Sequence, residues 1–107
     1  MGQTIEINDT LSVADTICVF DTDRTLAGQD GSAYESLEQA KAEAEQARRS
    51  AALPARLAVR LFKSDPDIDH VFVMSNIVTM RRREPWDEEA IAKAKEAIAG
   101  FFIFYRD

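Results

Sequence analysis

The sequence predicts an α+β fold, an antiparallel β-sheet with helices packed on one face. Three observations predict it. Short β-branched and aromatic runs occupy the first third of the chain and the stretch around residues 70 to 80, and the latter pair is joined by a two-residue turn. Alanine- and leucine-bearing stripes at three- and four-residue spacing fill the segments between and after them. Strands and helices are therefore segregated along the chain rather than strictly alternating, as α+β domains require.

Thr4-Ile5-Glu6-Ile7 alternates as a half-buried strand does, and Thr16-Ile17-Cys18-Val19-Phe20 supplies a second strand. Between Asp21 and Gly31 the run DTDRTLAGQDG is dense in residues that bond nearby backbone or accept positive φ, which predicts a surface loop. A short strand follows from Ser32 to Glu35. Ser36, with Gln39 three residues later, forms a capping box. Leu37, Ala40, Ala44, Ala47 and Ala51 then make a thin apolar stripe among charged residues.

Pro54 fits the first turn of a second helix, or a kink between two, because a helix start leaves that N–H unbonded anyway. Leu57, Ala58, Leu61 and Phe62 form the buried stripe of this segment, which Asp65-Pro66 ends. His70 to Met74 and Ile77 to Met80 read as a β-hairpin turning at Ser75-Asn76, where asparagine tolerates the left-handed conformation. Pro85 and the acidic Asp87-Glu88-Glu89 open a last helix, since carboxylates favour the positive end of the helix dipole. Its predicted core face is Ile91, Ala94, Ile98, Phe101 and Phe102.

At 107 residues and 12.0 kDa, with 46% hydrophobic residues, the chain is sized for one domain spanning residues 1–107. Thirteen Lys and Arg against nineteen Asp and Glu give a net charge of −6, which repels nucleic-acid phosphates and anionic membranes. Arg81-Arg82-Arg83 is the short basic exception. The single cysteine, Cys18, excludes an intramolecular disulfide and a CxxC metal site within the chain. The first ten residues have no signal-peptide character, and no apolar window reaches membrane-spanning length, so the expected location is cytoplasmic.

Cys18-Val19-Phe20-Asp21-Thr22-Asp23-Arg24-Thr25-Leu26-Ala27-Gly28 followed by Ser32-Ala33-Tyr34 resembles the N-terminal domain of the Nfu/NifU iron–sulfur scaffold family, which places an Asp-Arg-Pro-Leu-like turn and a Ser-x-Tyr strand in this order. Leu57-Ala58-Val59-Arg60-Leu61-Phe62, Ile68-Asp69-His70-Val71-Phe72-Val73, Ile77-Val78-Thr79-Met80, Trp86 and the last helix look like the remainder of that domain. The resemblance covers nearly the whole chain. Thr25 stands where the family commonly has proline, and residues 41 to 52 look like an insertion. The family's CxxC cluster ligands belong to a following domain, so the resemblance implies no cluster site here. It implies an Nfu N-terminal-like fold and a non-catalytic accessory module that binds protein partners in iron–sulfur cluster assembly or delivery, without a cofactor of its own.

Several residues carry competing readings. Asp21-Thr22-Asp23-Arg24-Thr25, directly after an apolar strand, is similar to the first motif of haloacid dehalogenase phosphatases, in which Asp21 would be nucleophile and Asp23 acid/base beside Mg²⁺. That chemistry needs a parallel doubly wound sheet, and the alternative is a structural loop. Cys18 is read as a small buried hydrophobe, or as the ligand of an iron or iron–sulfur carrier paired across a dimer, which requires an exposed thiol. His70 lacks a second histidine for metal binding.

Arg81, Arg82 and Arg83 either guard an edge strand or bind an acidic partner, with Arg81 and Arg83 on one face and Arg82 on the other. Trp86 is a lid on the core or an interface anchor. Phe104 is the aromatic of its cluster expected at a surface or dimer contact. Arg81, Arg82, Arg83, Trp86 and Phe104 are thus the candidate partner-binding residues.

Overall fold

The computed structural model describes residues 6–23, 25–46 and 52–101. Five strands, β1 (Ile7–Ala14), β2 (Ile17–Thr22), β3 (Ser32–Tyr34), β4 (Ile68–Met74) and β5 (Ile77–Arg82), form one sheet in the order β1-β2-β5-β4-β3. Every pairing is antiparallel. Helices α1 (Leu37–Gln46), α2 (Ala52–Ser64) and α3 (Glu88–Ala99) pack against it, so the α+β class holds. No described helix is long and apolar enough to cross a membrane.

Side chains on a strand alternate between faces, and one set builds the core. Cys18 and Phe20 of β2, Val78 and Met80 of β5, Val71 and Val73 of β4 and Tyr34 of β3 are all buried on the helix side. They meet Leu57, Ala58, Leu61 and Phe62 of α2 and Ala94 and Ile98 of α3 in one continuous cluster. The α2 stripe is the one the spacing predicts, joined by Ala52, Pro54 and Ala55, whereas on α3 Ala94 and Ile98 are buried with Ala90 and Ala97 and the predicted Ile91 is half-buried. Ala40 is buried on α1, flanked by half-buried Leu37 and Ala44. Ala47, Ala51 and Phe102 of the predicted stripes lie outside the described residues, as does Arg24.

Local chemistry sets the boundaries. The Gln39 N–H donates to Ser36 Oγ at 3.1 Å, while Gln39 Oε1 accepts from the Glu35 N–H at 2.8 Å, one residue before the usual capping-box partner. Asp87 caps α3 by accepting from the Ala90 N–H at 2.8 Å. Pro54 is the third residue of α2, within its first turn.

Three expectations are corrected. Strand structure runs on past the predicted end at Ile7, over Ile7–Ala14, because pairing with β2 holds the segment extended, while Thr4 and Ile5 of the predicted strand lie outside the described residues. The left-handed residue of the β4–β5 turn is Ser75, with φ 53°, not Asn76. The three arginines do not protect an edge, because β5 lies between β2 and β4; the edges are β1 and β3.

Candidate functional site

The hairpin tip shows what the Asp- and Thr-rich loop does. Asn76 Nδ2 donates to Asp21 Oδ1 at 2.7 Å and to the Thr22 carbonyl at 3.1 Å, and the Asn76 carbonyl accepts from the Thr22 N–H and hydroxyl at 2.9 and 2.8 Å. The Ser75 carbonyl accepts from the N–H groups of Leu26 and Ala27, and the Ser75 N–H donates to the Gly28 carbonyl. Residues 26–28 therefore hold the β4–β5 turn, with Leu26 buried beneath. Asp21 is bound to Asn76 at the end of a strand in an antiparallel sheet, and Asp23 is exposed. The described residues contain no parallel sheet on which the phosphatase motif would operate.

Cys18 is fully buried on the helix side, and burial raises its thiol pKa. The exposure that ligation across a dimer requires is not met. His70 Nδ1 lies 3.3 Å from Glu35 Oε1, and no group of three His, Cys, Asp or Glu among the described residues is placed to hold a metal ion.

The three arginines separate. Arg81 points to the sheet face opposite the helices and pairs with Asp69 at 2.8 Å, a hydrogen bond that raises the guanidinium pKa. Arg82 turns inward, pairs with Asp65 at 2.9 Å and Asp67 at 3.3 Å, and sits 5.5 Å from the Trp86 ring centre. Arg83 is exposed beyond the strand end, and its N–H donates to the Asp67 carbonyl. No common basic surface results from the triplet.

Trp86 is half-buried, edge-on to Phe20 at 5.8 Å, with Nε1 donating to the Thr16 carbonyl at 2.9 Å and its N–H to the Asp15 carbonyl at 2.8 Å. It fastens the β1–β2 turn as a lid over one end of the core. Phe104 lies outside the described residues.

The surface that stands out is the sheet face opposite the helices. Register places Leu11, Val19, Thr79, Phe72 and Ala33 in one row across all five strands. Beside it run Ile17, Arg81 and His70 on one side and Asp21, Ile77 and Met74 on the other. Antiparallel sheets usually turn polar residues to water on such a face, whereas this one is mainly aliphatic and aromatic. Leu11 is 61% exposed and Met74 37%, and Ile17, Val19, Phe72 and Ile77 are half-buried with no described helix over them. The Phe72 ring crosses Gly31, whose φ is +77° and where a Cβ would lie 2.6 Å from Phe72 Cζ. Only glycine lets the backbone come this close. Among the described residues, Asp21, Asp69 and Glu35 stand around this face beside His70 and Arg81, and Arg81 is paired with Asp69.

Of these residues the sequence singles out Arg81 for partner binding, and Asp21 and His70 for other chemistry, but none as part of a sheet face. The usable signal was the unbroken apolar run Ile17-Cys18-Val19-Phe20: a strand whose two faces are both apolar has something to cover on each. Comparison of the chain with protein-family models, curated proteins and solved structures gave no match.

Proposed function

We propose that this chain is a non-catalytic protein-interaction module whose sheet face docks a partner, and that the partner acts in iron–sulfur cluster assembly or delivery. The observation that carries the docking role is the apolar row Leu11, Val19, Thr79, Phe72 and Ala33 with apolar neighbours on both sides. Exposed contiguous apolar surface ringed by polar groups is the usual anatomy of a protein contact. The carboxylates of Asp21, Asp69 and Glu35 around the face favour a partner patch that is apolar at its centre and basic at its edge. The iron–sulfur context rests on the ordered resemblance to the Nfu N-terminal domain.

The test is titration of the ¹⁵N-labelled chain with purified iron–sulfur scaffold, carrier and acceptor proteins, followed by amide chemical shifts. The expected result is perturbation centred on Val19, Phe72, Ile77 and Thr79 with at least one of them, abolished by Val19→Lys while the thermal midpoint changes little. Perturbation confined to the helical side overturns the docking face, and an absence of binding to every one of these proteins overturns the iron–sulfur assignment.

A further inference from the structure

A second surface lies on the opposite side of the molecule and has the opposite charge. Helices α1 and α3 each pack on α2, and between them a trough of about 860 Å³ opens over the outward face of α2. Arg56, Val59, Arg60 and Lys63 recur at three- and four-residue steps along that face, turned away from the Leu57, Ala58, Leu61, Phe62 stripe that enters the core. Lys41 of α1 and Lys93 of α3 stand on the two walls.

Five of the chain's thirteen basic residues are thus gathered in one place on a protein of net charge −6, against two carboxylates, Glu45 and Glu96. Lys41, Lys63 and Lys93 make no ion pair among the described residues. Arg60 Nε donates to the Ala97 carbonyl at 2.6 Å, tying α2 to the last turn of α3 and holding that wall in place. Between the cations the lining is apolar, supplied by Ala44, Val59, Ala97 and Phe101.

We infer that this trough seats an acidic amphipathic helix of a protein partner, whose apolar stripe lies on Val59 and Ala97 and whose carboxylates meet the flanking cations. Shape supports a helix. A floor of one helix and walls of two is the seat that a further helix fills by ridge-into-groove packing. The thirteen residues of α2 give it a length of roughly 20 Å, or three to four turns of a partner. A small phosphate compound fits less well, because its site needs donors converging on one point, whereas these cations are spread over three helices with apolar surface between them. Charge supports the sign: on a chain of net charge −6, five cations gathered in one trough supply both attraction and register for an acidic partner.

The inference goes beyond the docking role of the sheet face, and the two fail separately. The probe is a synthetic sixteen-residue peptide of Leu, Glu and Ala with Leu at three- and four-residue spacing, titrated into the full ¹⁵N-labelled chain. Controls are an isomer with the Leu stripe scrambled, a version with Lys for Glu, and inorganic pyrophosphate. The expected result is perturbation of residues 56–64 and 93–97, binding weakened at least tenfold by scrambling and at least fivefold between 50 and 300 mM NaCl, and none with the Lys peptide. Lys63→Glu with Lys93→Glu, both exposed, should weaken binding at least tenfold with the amide spectrum of the free protein otherwise preserved. Val19→Lys should leave it unchanged. Equal binding of the scrambled isomer, tighter binding of pyrophosphate at the same residues, perturbation on the sheet face, or no perturbation at millimolar peptide each overturns the inference.

Discussion

The Arg82 guanidinium meets the Asp65 carboxylate at 2.9 Å, with the two side chains 11% and 5% exposed, so that the end of α2 is fastened to the end of the central strand. Arg82 also donates to the Glu84 and Pro85 carbonyls, and Asp65 accepts from the Asp67 N–H. Removing one member of a buried pair leaves the other charge desolvated and is far costlier than removing both. Asp65→Ala should therefore lower stability by about 3 kcal/mol in urea unfolding. Asp65→Ala with Arg82→Met should lower it by less than Asp65→Ala alone, and a double-mutant cycle measures the difference.

Trp86→Phe keeps a ring against Phe20 but removes the Nε1 donor to the Thr16 carbonyl. The expected loss is about 1 kcal/mol, read as a lower thermal midpoint with an unchanged far-ultraviolet spectrum.

Asn76→Ala removes both side-chain donors to β2 at the hairpin tip. A loss of about 1–2 kcal/mol should follow, with faster amide exchange at Leu26 and Ala27, whose N–H groups bond the adjoining Ser75 carbonyl. Gly31→Ala should cost a similar amount, about 1–2 kcal/mol, because an L-residue at φ +77° is strained and its Cβ meets the Phe72 ring. Equilibrium unfolding checks both.

The buried Cys18 thiol should react with an aromatic disulfide reagent only as fast as the protein opens, and fully in denaturant. Its pKa is raised in the folded chain, so the unfolded state ionises first. The resulting stabilisation is complete below the unfolded thiol pKa and is lost as pH rises through the folded value. Cys18→Ala should remove that part of the alkaline decline in stability, as chemical unfolding across pH 7 to 10 would show.

The helices, the hairpin and most of the loop after β2 are legible in the sequence because each is written locally, in a capping residue, a stripe or a turn residue, although Asp21 and Thr22, read as the start of that loop, close β2. β1 is less so, because Asn8 and Asp9 disfavour a strand and the short alternation Thr10-Leu11-Ser12-Val13 leaves its apolar members, Leu11 and Val13, largely exposed, the segment being held extended by β2. Strand order is not legible either: nothing near Arg81 tells that β5 is central, and its central place removes edge protection, one of the two roles open to the arginines. The carboxylates of Arg81 and Arg82, Asp69 for the one and Asp65 with Asp67 for the other, come from the far side of a turn that the local pattern does not rank. The Arg56, Arg60, Lys63 spacing is visible on one helix, but its convergence with Lys41 and Lys93 exists only once three helices are packed.

The central position of β5 also governs the order in which the fold can be completed. The β1–β2 hairpin forms early in the chain but joins the rest of the sheet only through the pairing of Ile17–Asp21 with Ile77–Arg81. Until residue 81 or so has left the ribosome, β2 has a bare edge. Nascent chains arrested before that point should be protease-sensitive throughout, and protection should appear in one step once β5 emerges.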